Sequence, residues 1–128
     1  MNRRLGLIAA AALMLAPAAF VGSAEAWAPK KGPDPVAVAL ADGRRSNEDV
    51  ARDAKSKPAE VIAFAGIKPG MHVADLVIGQ GYYSKIFAVL VGASGKVWSW
   101  QPGEFAAFNP AYKEPLTYLP KAFPNLTS

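Results

Sequence analysis

The 128-residue chain has no cysteine and a single histidine. The first absence excludes a disulfide framework and a thiolate metal centre. The second leaves a histidine-based metal site without ligands, so no metal is expected. Clustered charge is missing as well. The net charge is +4, but past the first residues only Lys30–Lys31 and Arg44–Arg45 are adjacent cations. Proteins that bind nucleic acid gather Lys and Arg on one face and interleave aromatics. These scattered cations read as a solvated surface, and no nucleic-acid partner is expected. No internal repeat is visible.

What is present begins with a leader pattern. "MNRR" is a short basic start, "LGLIAAAALMLAPAAFVG" is an apolar run, and Ala24 and Ala26 flank Glu25 in an Ala-x-Ala end. That order is the secretory signal-peptide pattern, with cleavage after Ala26. Pro17 and the Ala-rich composition of the run argue against a retained membrane anchor. The expectation is a signal peptide over 1–26, a periplasmic or secreted mature chain, and no membrane association after cleavage. "NLT" at 125–127 has the form of a glycosylation acceptor, which has meaning only in a cell that glycosylates exported chains.

Residues 27–45 are rich in Pro and Gly and read as an extended arm, with room for a helical turn in "VAVALA". Ser46 followed by Asp49 resembles a helix N-cap with an acidic third position, starting a short exposed helix. Pro58 suits the first turn of the next helix, and Gly66 its end. "MHVADLVI" is nearly continuously apolar, which predicts a parallel strand covered on both faces. "GQG" breaks it, and a helix over about 82–91 follows. "KVWSWQ" is a second strand, rich in β-preferring residues. Trp98 and Trp100 share one of its faces and are expected to be core or helix contacts. The segment 102–128 contains five prolines, so its helices should be short. The organisation is helix, strand, helix, strand: an α/β fold with a partial Rossmann-like parallel sheet over 46–128.

The stretch "DLVIGQGYY" then falls at the carboxyl end of the first strand, where open α/β sheets bind ligands. Gly79 and Gly81 lack Cβ atoms, so a ligand can approach the backbone and meet N–H groups at a helix start. Asp75 can order this loop or accept from a ligand ammonium. The same glycines also suit a plain helix–strand contact, and Asp75 a plain cap. Tyr82 and Tyr83 are as well suited to packing as to lining a ligand. His72 reads as a strand residue.

"VADLVIGQGYYSKIFAVLVGASGKVWSWQP" resembles the first cofactor motif and second strand of class I S-adenosylmethionine-dependent methyltransferases. It is more similar still to a group of predicted, often exported bacterial methyltransferases with the motif D-L-I-P-G-G-G-Y. There, a segment like "ARDAKSKPAEVIAFAGIKPGM" precedes the motif and "VGASGKV" follows it. The similarity spans roughly residues 50–108. It implies that Asp75 is the motif acid and that Gly79 and Gly81 are its second and third glycines. It also implies that the loop wraps the methionine part of S-adenosyl-L-methionine, with Tyr82 near the pocket. Val77 stands at the first glycine of the general motif. Gln101 stands where most members carry an acid for the ribose hydroxyls, and Glu104 lies three residues on.

The acceptor site of that family lies mostly in a later half of the sheet. The chain therefore reads as the cofactor half of such an enzyme, weakly active or inactive, with the acceptor unknown and no residue assignable as a catalytic base. The alternative is an exported, non-enzymatic module that binds another small molecule on the same turn, or pairs with another chain. An exposed parallel strand edge invites self-association.

Overall fold

The computed structural model describes residues 32–128. The leader, its cleavage site and the start of the arm lie outside the described residues.

Local signals set the first helices. Asp34 accepts the Val36 N–H at 3.1 Å, and Pro35 occupies the first turn of α1, Pro35–Leu40. The helical turn allowed for in "VAVALA" thus forms within the arm. It stays in place because Ala39 is fully buried and α1 packs on the helix at Tyr82–Val91. Ser46 and Asp49 form a reciprocal capping box at the start of α2, Asn47–Ser56. Lys57 turns left-handed, and α3, Pro58–Ala65, starts at once with proline in its first turn and stops at Gly66.

The centre is a β–α–β unit. β1, His72–Leu76, leads through the glycine turn into α4, Tyr82–Val91, and then into β2, Lys96–Trp100. The strands are parallel, with His72 opposite Lys96 and Leu76 opposite Trp100. The proline-rich remainder forms α5, Gly103–Phe108, a single 3-10 turn at Pro110–Tyr112, and α6, Glu114–Ala122. A two-residue strand, β3, Leu126–Thr127, pairs parallel to β2 on the side away from β1. The fold is α/β with an open, all-parallel three-stranded sheet in a partial Rossmann-like arrangement.

The core lies on one face of this sheet. α4 is buried along most of its length, with Ile86, Leu90 and Val91 packed among Val97, Ile62, Leu119, Phe123 and Leu126. The other face is bare among the described residues, and two expectations are corrected by this. Leu76 is 66%, Trp98 44% and Trp100 54% exposed. The tryptophans do share a face, but the register puts that face opposite α4. Val97 and Ser99 are the residues of β2 that point into the core. β1 is covered on one face only, with Val73 and Asp75 half-buried and His72, Ala74 and Leu76 exposed. Its outer edge has no neighbouring strand among the described residues.

Candidate functional site

The turn after β1 is held by hydrogen bonds to the end of β2. Val77 and Ile78 donate their N–H groups to the Trp100 carbonyl, at 2.8 and 3.4 Å. The Gly79 N–H donates to Gln101 Oε1 at 2.9 Å. Gly81 closes the turn onto the Ile78 carbonyl at 2.8 Å. The N–H groups of both glycines are therefore satisfied within the chain. Three residues of this turn are left-handed: Val77 at φ 62°, Gly79 at 56° and Gly81 at 77°. Val77 is a β-branched residue in a conformation that favours glycine, a strained position.

The two glycines differ in what surrounds them. A Cβ on Gly79 would meet nothing within 4 Å, so that side of the turn is open. A Cβ on Gly81 would lie 2.7 Å from Leu119 Cδ1. The space beside Gly81 belongs to α6.

Asp75 points under the start of α4. It accepts from Ser84 Oγ at 2.6 Å, and Ser84 Oγ accepts from Ser99 Oγ at 2.9 Å. Burial raises the Asp75 carboxyl above its ordinary value, against the lowering effect of the Ser84 hydroxyl and backbone N–H. The aspartate caps α4 from the strand, and no motif in the sequence marks Ser84 as its partner or Ser99 as the donor behind it.

Tyr82 is only 2% exposed. Its hydroxyl donates to Asp53 at 2.5 Å, and the Arg52 guanidinium lies 4.5 Å from its ring centroid. Burial and the neighbouring Asp53 push the phenol pKa far up. Asp53 also takes an ion pair from Arg45. Burial opposes ionisation of Asp53, but the bonds from Arg45 and Tyr82 prevail and hold its carboxyl low. Lys85 reaches Asp49 at 2.6 Å with both side chains about nine-tenths buried. These pairs dock α2 on α4. Asp49 and Lys85 lie 36 positions apart, and no motif links them in the sequence.

Gln101 ends β2 at 7% exposure. Its Oε1 holds Gly79, while its Nε2 is buried and has no hydrogen-bond partner. Val77, Gly79 and Gln101 therefore meet at the open side of the turn, with Val77 50% exposed. Asp75, Gly81 and Tyr82 adjoin them in the chain, but their side-chain space is taken up by Ser84, Leu119 and Asp53.

A separate cleft of about 530 Å³ lies at the other end of the sheet, between the end of α4, the start of β2 and Phe123–Asn125. Arg44 stacks on Phe123 there, and Asn125 Nδ2 donates to the Ala88 and Gly92 carbonyls. The position of this cleft at the amino ends of the strands separates it from the glycine turn. Among the described residues, no three His, Cys, Asp or Glu side chains converge as a metal site, and no helix is long and apolar enough to cross a membrane.

No family model and no curated protein matches the chain. Among solved structures it is similar to a SAM dependent methyltransferase from Aquifex aeolicus, at 24% identity and a TM-score of 0.40. That similarity covers 74% of this chain and 42% of the other protein, so this chain spans less than half of its length.

Proposed function

We propose that the glycine turn is the methyl-donor site of an S-adenosylmethionine-dependent methyltransferase, and that these residues are the cofactor-binding part of it. The observation that carries this reading is the join between Gly79 and Gln101. It brings together an open, left-handed glycine and a buried amide, unpaired at its nitrogen, at the carboxyl ends of two parallel strands, the ligand position of open α/β sheets. An adenosyl ligand fits these two residues: Gly79 leaves room for it, and Gln101 has a polar atom to meet it. Val77 would lie against it with half its surface exposed.

The bound donor would supply a methyl group already activated on a sulfonium. The protein's own part is to hold that group in line with an acceptor and to exclude water. Among the described residues, none at the turn stands ready as a base for the acceptor. Activity of this chain alone is therefore expected to be very low, with the acceptor unassigned.

The use of Asp75, Gly81 and Tyr82 in packing favours a second reading. On that reading the turn serves an exported, non-enzymatic module that holds a small molecule or pairs through the open edge of β1. Calorimetry with S-adenosylhomocysteine separates the two. Binding that is lost in Gly79→Val supports the donor site. A folded wild type that does not bind, at protein concentrations where its mass shows a dimer, supports the pairing module. Export is tested by N-terminal sequencing of extracytoplasmic material, which should begin at Trp27.

A further inference from the structure

The cleft at the amino ends of the strands brings together three polar side chains, each with one bonding capacity left unused. Arg44 spends its in-plane hydrogen bonds within the chain: Nε and Nη2 donate to Asp42, and Nη1 donates to the Ala122 carbonyl. One face of its guanidinium lies over the Phe123 ring, 4.1 Å from the centroid. The other face is left to stack, as a planar guanidinium does on an aromatic ring. Asn125 gives both amide hydrogens to the Ala88 and Gly92 carbonyls, at 2.8 and 2.9 Å. Turning the amide over would set oxygen against oxygen, so its orientation is fixed. Its Oδ1 accepts from no donor among the described residues. Lys96 is half-buried beside Asn125, because its neighbour Val97 donates to the Asn125 carbonyl at 2.9 Å. Among the described residues it pairs with no carboxylate.

The charge of Arg44 is offset by Asp42, so Lys96 gives the cleft its net positive charge. Helix carboxyl ends disfavour anions. Here that effect is blunted, since Asn125 covers two carbonyls at the end of α4 and the Gly70 N–H covers that of Val91. Val89 and Ala93 add apolar wall, and the volume of about 530 Å³ falls within the roughly 300–1,000 Å³ of small-molecule pockets.

We propose that this cleft binds a small aromatic acid with a hydrogen-bond donor on its ring. The ring stacks on the outer face of Arg44, the carboxylate meets Lys96, and Asn125 Oδ1 accepts from the ring donor. The cleft and the glycine turn lie at opposite ends of the strands, so the inference goes beyond the methyl-donor reading and does not rest on it.

The test is calorimetry on the full chain with meta- and para-hydroxybenzoate, benzoate, and the methyl esters of the two hydroxy acids. The better hydroxybenzoate should saturate at millimolar concentration or below. It should bind about tenfold more tightly than its ester and about threefold more tightly than benzoate. Lys96→Met should remove the gap between acid and ester. Ala93→Trp, at an exposed turn position, fills the cleft and should abolish binding. The inference is overturned if neither hydroxybenzoate saturates, if ester or benzoate binds as well as the hydroxy acid, or if either variant behaves like wild type. Competition by S-adenosylhomocysteine would also overturn it, since the acid would then lie at the glycine turn. Should Lys96→Met fail to fold, the acid–ester gap of wild type and the Ala93→Trp result decide.

Discussion

Gly81→Ala places a methyl group where the chain has no room for one, and the cost divides into two parts. The first is local: at φ 77° an L-residue pays about 1–2 kcal/mol for the left-handed backbone. The second is the contact, because the new Cβ lies 2.7 Å from Leu119 Cδ1. Leu119 is fully buried and cannot simply swing away, so overpacking adds about 1–3 kcal/mol. The expected loss is ~2–5 kcal/mol, a large share of the ~5–15 kcal/mol that holds a domain folded. Gly79→Ala is the internal control. At φ 56° it shares the backbone cost, but its Cβ meets nothing, so only ~1–2 kcal/mol should be lost. Leu119→Ala alone should cost ~2–5 kcal/mol through the cavity it leaves. In the double variant the alanine methyl partly fills that cavity, and the two costs should fall short of additive by ~1–3 kcal/mol. Urea unfolding followed by far-UV circular dichroism measures all four proteins. A Gly81→Ala loss no greater than that of Gly79→Ala, or strict additivity with Leu119→Ala, would refute the argument that α6 fills this space.

Lys85→Met alone should cost ~3–5 kcal/mol by leaving the buried Asp49 carboxylate unpaired. Asp49→Leu should cost more, because it also removes the acceptor for the Ser46 N–H, and the double variant should recover the unpaired-charge part only, as the urea midpoints measure. The Asp75 carboxyl is raised above 3.8 in the folded state, so it holds its proton more tightly there than in the unfolded chain. Its contribution to stability should therefore fall as pH rises from 3.8 through the folded pKa, and Asp75→Asn should flatten that part of the profile. Asp53 is held low and works the other way, contributing stability above 3.8 that is lost as pH falls through its folded value. Thermal melts of wild type, Asp75→Asn and Asp53→Asn across this range separate the two signs. In a Trp27→Phe background, Trp98 and Trp100 should be readily quenched by acrylamide in the native state, though less than in urea, since each is about half exposed; strong native protection would mean that the bare face is covered.

Much of the architecture is written in short-range chemistry. Ser46 and Asp49 satisfy each other's backbone groups over three residues, Pro58 and Gly66 bracket α3, and the β–α–β order follows from apolar runs broken by glycine. Such features need only a few neighbours in the chain, so the helix over Tyr82–Val91 and the parallel pairing of β1 with β2 are legible without a structure. The alternation in "KVWSW" likewise tells that Trp98 and Trp100 share a face. It does not tell which face α4 covers, because that depends on the register and on where the helix crosses. The same holds at the turn. Gly79 and Gly81 look alike in the sequence, and only the packing of Leu119, 38 positions later, makes one crowded and leaves the other open. Asp75 reads in the sequence as a loop or ligand residue, but the fold sets it against Ser84 in the first turn of α4, whose hydroxyl donates to it. Gln101 becomes informative only when Gly79 fixes its oxygen. Local geometry is encoded in neighbouring residues, whereas the side chain that fills a given space is decided by segments that meet only when the chain has folded.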